Sequence, residues 1–388
     1  MIGKVCHACL ARCEKLYRCS ICRFSRYCGK HCQVARPHPL HRKAWGIHKI
    51  ECPRLQKNSG RDCVFETVRL LGRTIDKLDI LKANNEDSPI RELLANPHDT
   101  LHPEWESEMR LNTYSFFQTY MGCAMDEDLL DQLIGQYRRN GFGLLDDVRV
   151  EKAAIALFSK FSLFNHSCCP NVYVSNVGTT LRARAIRPIS QGEELTMNYV
   201  EDLMLETIEY RRERLRVRYL FECTCPACTS PEAIEKNKIH TNLRVKTSRI
   251  DVSQCIEECQ KTEAAARAQA NANNHAAVVE ILDKFIQSCP LDRRSCYIRK
   301  MASLAQASFF QLHLLERTLE FGDIVTQSMK AFLSSDDVKL AQHYLSLCAS
   351  LVLLNRWKEA ARLTQIAVRS YKAFLGEEHP TTKAFQRD

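Results

Sequence analysis

Within its first fifty-two residues the chain carries Cys6-x2-Cys9, Cys19-x2-Cys22, Cys28-x3-Cys32 and His48-x3-Cys52. Eight soft or borderline ligands in four pairs are what two tetrahedral Zn²⁺ ions require. A Cys-x2-Cys turn brings two thiolates to one metal, and His-x3-Cys does the same from one turn of helix. The stretch from Met1 to Lys57 is short of aliphatic residues and cannot build a core from side chains alone, so metal must hold it together. Protein fills every position on each ion, which makes the ions structural rather than catalytic. Cys13 is left over as a bystander.

Charge sharpens this picture. Of the net +9, the segment 1–57 holds thirteen Lys/Arg against two acids, or +11, leaving the remainder near −2. Two bound Zn²⁺ with seven thiolates contribute about −3, so the loaded segment stays basic. A basic module suits an acidic partner or weak nucleic-acid contact. Most of the twenty cysteines sit in closely spaced pairs in a long chain with no apolar leader, which favours zinc in a reducing compartment over a disulfide framework. No apolar run approaches 18 residues, so a soluble intracellular protein without membrane contact is expected.

Beyond the cysteine-rich segment the pattern turns helical. Val64, Val68, Leu71, Ile75 and Leu78 recur at three-and-four spacing, predicting an amphipathic helix from Cys63 to about Leu81. Residues 82–104 are polar with three prolines and read as a loop. "EWESEMRLNTYSFFQTYMG" and "DEDLLDQLIGQYRRNG" read as helices, the second opened by acids and stopped by Gly141. "GFGL" at Gly141 to Leu144 reads as a helix stop followed by a turn. From about Val150 the chain changes to short β-rich runs. In "TLRARAI", Leu181, Ala183 and Ala185 alternate with Arg182 and Arg184, predicting a half-buried strand. After Cys228 it is helical to the end. "LAQHYLSLCASLVLLNRWKEAARLTQIAVRSYKAFLGEEHP" predicts two antiparallel helices broken around Asn355-Arg356, similar to a tetratricopeptide-like pair, and "AARAQANANNH" a helix end or connector.

Three further stretches carry chemistry: "NHSCCPN" (165–171), "GEELTMNY" (192–199) and "YLFECTCPAC" (219–228). Cys223-x-Cys225-x2-Cys228 supplies three thiolates, and a tetrahedral site needs a fourth from elsewhere. In this order, beside the "CQ…W..HK..C" tail (Cys32, Gln33, Trp45, His48, Lys49, Cys52), the stretches resemble the SMYD family, which joins a SET domain to a MYND zinc finger. The resemblance covers almost the whole chain. It implies an α+β fold with a zinc-bound MYND finger (1–57), a helical insert (58–149), a β-rich SET core (150–202), a post-SET zinc segment (203–230) and an all-α, tetratricopeptide-like C-terminal domain (231–388).

The resemblance also implies ligands and roles. Cys6, Cys9, Cys28 and Cys32 share one zinc, and Cys19, Cys22, His48 and Cys52 the second, with His41 the alternative to His48. Cys168 joins Cys223, Cys225 and Cys228 on a third structural zinc, with Cys169 the alternative to Cys168. Asn165 and His166 help hold S-adenosylmethionine, the His largely through its backbone. Tyr199 lies beside the transferring methyl group as catalytic residue, and Phe221 and Tyr219 line the cofactor and lysine channel. Gly192, Glu193 and Glu194 set a turn rather than do chemistry.

The implied activity is S-adenosylmethionine-dependent methylation of protein lysines, histone or not, with proline-containing peptides as further partners of the finger. A monomer in nucleus and cytoplasm is expected. One departure stands out. Family members begin with a glycine-rich G-x-G-L strand pair before the finger, whereas only five residues precede Cys6. The expectation is a chain either shortened relative to an active enzyme or degenerate, the alternative function being a silent SET/MYND interaction protein.

Overall fold

The computed structural model describes residues 5–33, 39–58, 66–90, 92–93, 95, 114–124, 126–146, 152–244 and 250–385, the side chains of 39–47 excepted. Outside these lie His38, the side chains of His41 and Trp45, residues 91, 94 and 96–104 of the loop expected up to residue 104 and the start of the helix expected after it. The chain divides into two compact units: Met1–Asn165 with Val174–Ala183 and Val217–Tyr219, and His166–Tyr173 with Arg184–Arg216 and Leu220–Asp388.

The first unit begins with the cysteine-rich segment. Strands β1 (Tyr17–Arg18) and β2 (Arg26–Tyr27) pair antiparallel, Tyr17 opposite Tyr27. Each Cys-x2-Cys closes a tight turn: the Leu10 N–H reaches the Cys6 carbonyl and the Arg23 N–H the Cys19 carbonyl, both at 2.9 Å. Leu10 and Arg23 hold φ of 62° and 54°, a left-handed geometry that costs a residue with a Cβ about 1 kcal/mol or more. Closing the ligand turns outweighs that cost once metal is bound. Helices α1 (Lys30–Gln33) and α2 (Pro39–Lys57) come next.

The helix expected at 63–81 runs Glu66–Ala83 (α3). Residues 114–121 form α4 and Glu127–Asn140 form α5, whose cap Asp126 accepts the Leu129 N–H. Leu55, Val68, Leu71, Phe117 and Leu130 are buried in the same cluster as the zinc-type cysteines, so the finger and α2 to α5 share one core. Glu51 of α2 is its polar centre. It accepts Arg69 at 2.8 Å, Arg73 at 2.6 Å and the Tyr120 hydroxyl at 2.8 Å, tying α2, α3 and α4. Arg54 and Asp76 pair bidentately at 2.7 Å alongside.

Gly141 does stop α5, but the residues after it form a strand instead of the expected turn. Gly141–Leu145 is strand β3, antiparallel to β4 (Lys152–Leu157), with Gly143 opposite Ile155 and a bulge between Leu144 and Leu145. Pairing with β4, the next strand along the chain, overrides the local glycine signal.

Strand β5 (Asn165–His166) pairs with β8 (Thr196–Met197), and β6 (Val172–Val177) with β7 (Thr180–Ala185). In the first unit, the turn of the second pair uses Gly178 at φ +57°, where a Cβ would meet the Cys9 carbonyl oxygen at 3.0 Å. The expected alternation in β7 holds only at Leu181, which is buried. Ala183 and Ala185 are exposed.

Helix α6 (Ile208–Tyr219), whose residues up to Arg216 belong to the second unit, starts at the Thr207 cap and ends on left-handed Leu220. The short helices α7 (Pro226–Thr229) and α8 (Pro231–Asn237) lead to a helical stack. It comprises α9 (Val252–Asn271), α10 (His275–Ser288), α11 (Cys296–Gln311), α12 (Leu315–Phe332), α13 (Val338–Leu353) and α14 (Trp357–Phe374), then α15 (Pro380–Ala384). From α9 to α14 each helix packs on the next around buried Val278, Leu282, Ile298, Met301 and Ala305. The tight turns within the three helix pairs each hold one left-handed residue: Asn273, His313 and Asn355. Their spacing of 40 and 42 residues is a repeat that the loose sequence signature hid, and the break expected at Asn355 is one of the three.

Candidate metal centres and the asparagine–histidine loop

Three groups of ligands come together among the described residues: Cys6, Cys9, Cys28 and Cys32; Cys19, Cys22, His48 and Cys52; and Cys168, Cys223, Cys225 and Cys228. Within each, all ligand atoms lie within 4.8 Å of one another. Sulfurs at about 2.3 Å from a tetrahedral ion sit about 3.8 Å apart. Three sulfur pairs, one from each group, match that spacing: Cys9–Cys28 at 3.9 Å, Cys19–Cys52 at 3.8 Å and Cys168–Cys228 at 3.6 Å. The donor sets therefore fit Zn²⁺. His48 belongs to the second group, with Nε2 at 3.9 Å from Cys22 Sγ, while its Nδ1 meets Ser25 Oγ at 3.2 Å. Burial lowers the His48 pKa, favouring the neutral ring a metal needs.

The third group, in the second unit, shows most clearly what a cation would do. Contact with Cys168 lowers Cys223 to about 4, while contact with Cys223 pushes Cys168 far up. Four clustered thiolates require positive charge between them. Cys168, not Cys169, completes the set. Cys168 is 1% exposed, whereas Cys169 is exposed beside Ser167 Oγ at 3.5 Å.

Two arginines hold the tail loop in the ligating shape. Arg211 Nη2 donates to the Ala227 carbonyl at 2.8 Å, and Arg212 donates to the carbonyls of Cys223 at 3.3 Å and Cys228 at 3.2 Å. In sequence, "EYRRER" looks like a solvated helix face, and nothing local marks these two for the loop.

The loop ends on Asn171 for a reason that sequence reasoning missed. Its buried carboxamide donates to Glu193 Oε1 at 2.9 Å and the Glu194 carbonyl at 2.8 Å, and accepts the Thr196 N–H at 2.8 Å. This clamps "NHSCCPN" onto "GEELT". Glu193 also accepts the Ser190 N–H and Arg187, so the turn role expected for it is the observed one. The signal was a Pro-Asn pair followed by a β-branched run.

His166 takes part as well. Its ring, rather than its backbone alone, is engaged: Nδ1 accepts the Tyr199 N–H at 3.1 Å and Nε2 lies 3.3 Å from Cys168 Sγ. The rings of Tyr199 and Phe221 stand 5.3 and 5.9 Å from it, and 6.3 Å from each other. Three of the expected site residues thus form one aromatic group beside the third cysteine cluster. Asn165 is exposed on β5. Tyr219, in the first unit, closes α6 with Arg218 stacked 5.5 Å over its ring.

Residues 54–200 match the SET domain family. N-lysine methyltransferase SMYD2 of Bos taurus is 28% identical over 395 residues, covering 97% of this chain and 86% of its own length. The Homo sapiens SMYD2 is 27% identical over 400 residues with the same shares, and SMYD2-B of Danio rerio 26% over 390.

Proposed function

The chain belongs to the SMYD family, and on that premise we propose that it is an S-adenosylmethionine-dependent protein-lysine N-methyltransferase acting on histone or non-histone lysines. The observation that carries this is the meeting of His166, Tyr199 and Phe221 beside the Cys168–Cys228 cluster. Asn165, His166 and Phe221 would hold the methyl donor, and Tyr219 would line the lysine channel. Bound S-adenosylmethionine supplies an electrophilic methyl group on a sulfonium.

The chain's part is positioning and proton control. A lysine amine ordinarily titrates near about 10.4 and must be neutral to act as nucleophile. A narrow apolar channel disfavours its ammonium form, and the Tyr199 hydroxyl would orient the lone pair. Cys168, Cys223, Cys225 and Cys228 would hold a third zinc, which would fix the tail against the loop that carries His166. The other two ions stabilise the finger. There Tyr17 and Ile21 stand exposed, which supports a peptide-binding face for proline-containing partners. We extend the proposal to a nuclear and cytoplasmic setting for these protein substrates.

Calorimetry of this 388-residue chain with S-adenosylmethionine, then transfer of labelled methyl to a lysine-peptide array, tests the reading. Saturable binding with label on lysine supports it. No heat and no label would leave a silent interaction protein.

A further inference from the structure

We infer that His166 is a positioning residue, whose ring couples the third zinc centre to the backbone of Tyr199. This coupling deepens the proposed function and rests on it only for the role given to Tyr199. A backbone N–H can only donate, so the 3.1 Å contact makes His166 Nδ1 the acceptor and rules out an N–H there. The neutral ring then carries its proton on Nε2, 3.3 Å from Cys168 Sγ. An N–H aimed at a ligating thiolate is the kind of outer contact that orients a metal ligand and withdraws charge from it. One rigid five-membered ring therefore spans from a zinc ligand to the residue expected to meet the methyl group. Neither end can shift without turning the ring, and Tyr199 and Phe221 pack against it at 5.3 and 5.9 Å.

The two ends can be cut separately. In H166N the side-chain oxygen takes the place of Nδ1 but cannot reach Cys168. In H166Q the amide nitrogen takes the place of Nε2, and the Tyr199 N–H loses its acceptor. Two readouts need no activity: hydrogen exchange at the Tyr199 amide, and alkylation rates of Cys168, Cys223, Cys225 and Cys228 in the zinc-loaded protein.

H166N should keep Tyr199 exchange near that of the parent while the four thiols react roughly tenfold faster. H166Q should keep the thiols protected while Tyr199 exchanges roughly tenfold faster and kcat falls by a similar factor with the peptide KM unchanged. Unchanged Tyr199 exchange in H166Q, or unchanged alkylation in H166N, overturns the coupling. A parent that transfers no methyl counts against the proposed function alone, because exchange and alkylation still decide the coupling.

Discussion

At the scale of single residues, two side chains invite direct substitution. Tyr199 meets His166 through its backbone, so removing only its hydroxyl leaves that tie and the fold intact. Tyr199→Phe should lower kcat by roughly 100-fold or more, the size expected for losing a positioned hydroxyl at the reacting centre. The melting temperature should stay put, and labelled-methyl transfer reads the rate. Glu51 is the opposite case, a residue with a structural charge. Burial alone would raise its pKa, but Arg73 and Arg69 hold it well below the usual carboxylate range. Glu51→Gln leaves two arginines facing an uncharged amide in a closed core. It should cost about 3–5 kcal/mol in chemical denaturation. Nothing in the local pattern hints at this role, since Glu51 looks like one more helix charge beside the ligand Cys52. Conversely, the eight finger ligands and Cys223, Cys225 and Cys228 were legible because metal chemistry fixes their spacing.

At the scale of elements, the helical stack is set by close approaches and caps. Gly322 of α12 meets α13 so closely that a Cβ would lie 2.4 Å from a Leu347 methyl. Gly322→Ala should therefore destabilise by about 1–3 kcal/mol despite its better helix propensity, a sign that thermal melts will report. His240 caps α11: its Nδ1 accepts the Cys296 N–H at 3.1 Å, and its ring stacks on Phe332 at 4.5 Å. Burial, then Arg211 and Arg299, lower its pKa to about 4. The folded state prefers the neutral ring, so this stability is complete above the unfolded value near about 6.5 and is lost as pH falls toward 4. About 3 kcal/mol should disappear across that window in denaturant titrations, and His240→Ala should flatten the profile. Helix limits were legible where caps are local, as at Asp126 and Gly141. The stretch "GFGL" was not, because β4 decides its state from across the sheet.

At the scale of the whole molecule, three metal centres and one helical stack should respond differently to the same treatment. Elemental analysis should find three zinc ions per chain. A strong chelator should collapse the finger, whose core is partly its own cysteines, while the α9–α14 helical signal in far-UV dichroism survives. Loss of all helix on chelation would contradict the separate core of the stack. The chain by itself determined which cysteine pairs are spaced to ligate and roughly where helices begin, because ligand spacing, caps and periodicity act over a few residues. Only the tertiary structure decided that Cys168 rather than its neighbour completes the third set. It also decided that Asn171 clamps two motifs, and that the ring of His166 spans from a sulfur to the backbone of Tyr199. Those outcomes depend on the direction of side chains brought together from distant positions, and residue order alone does not fix direction.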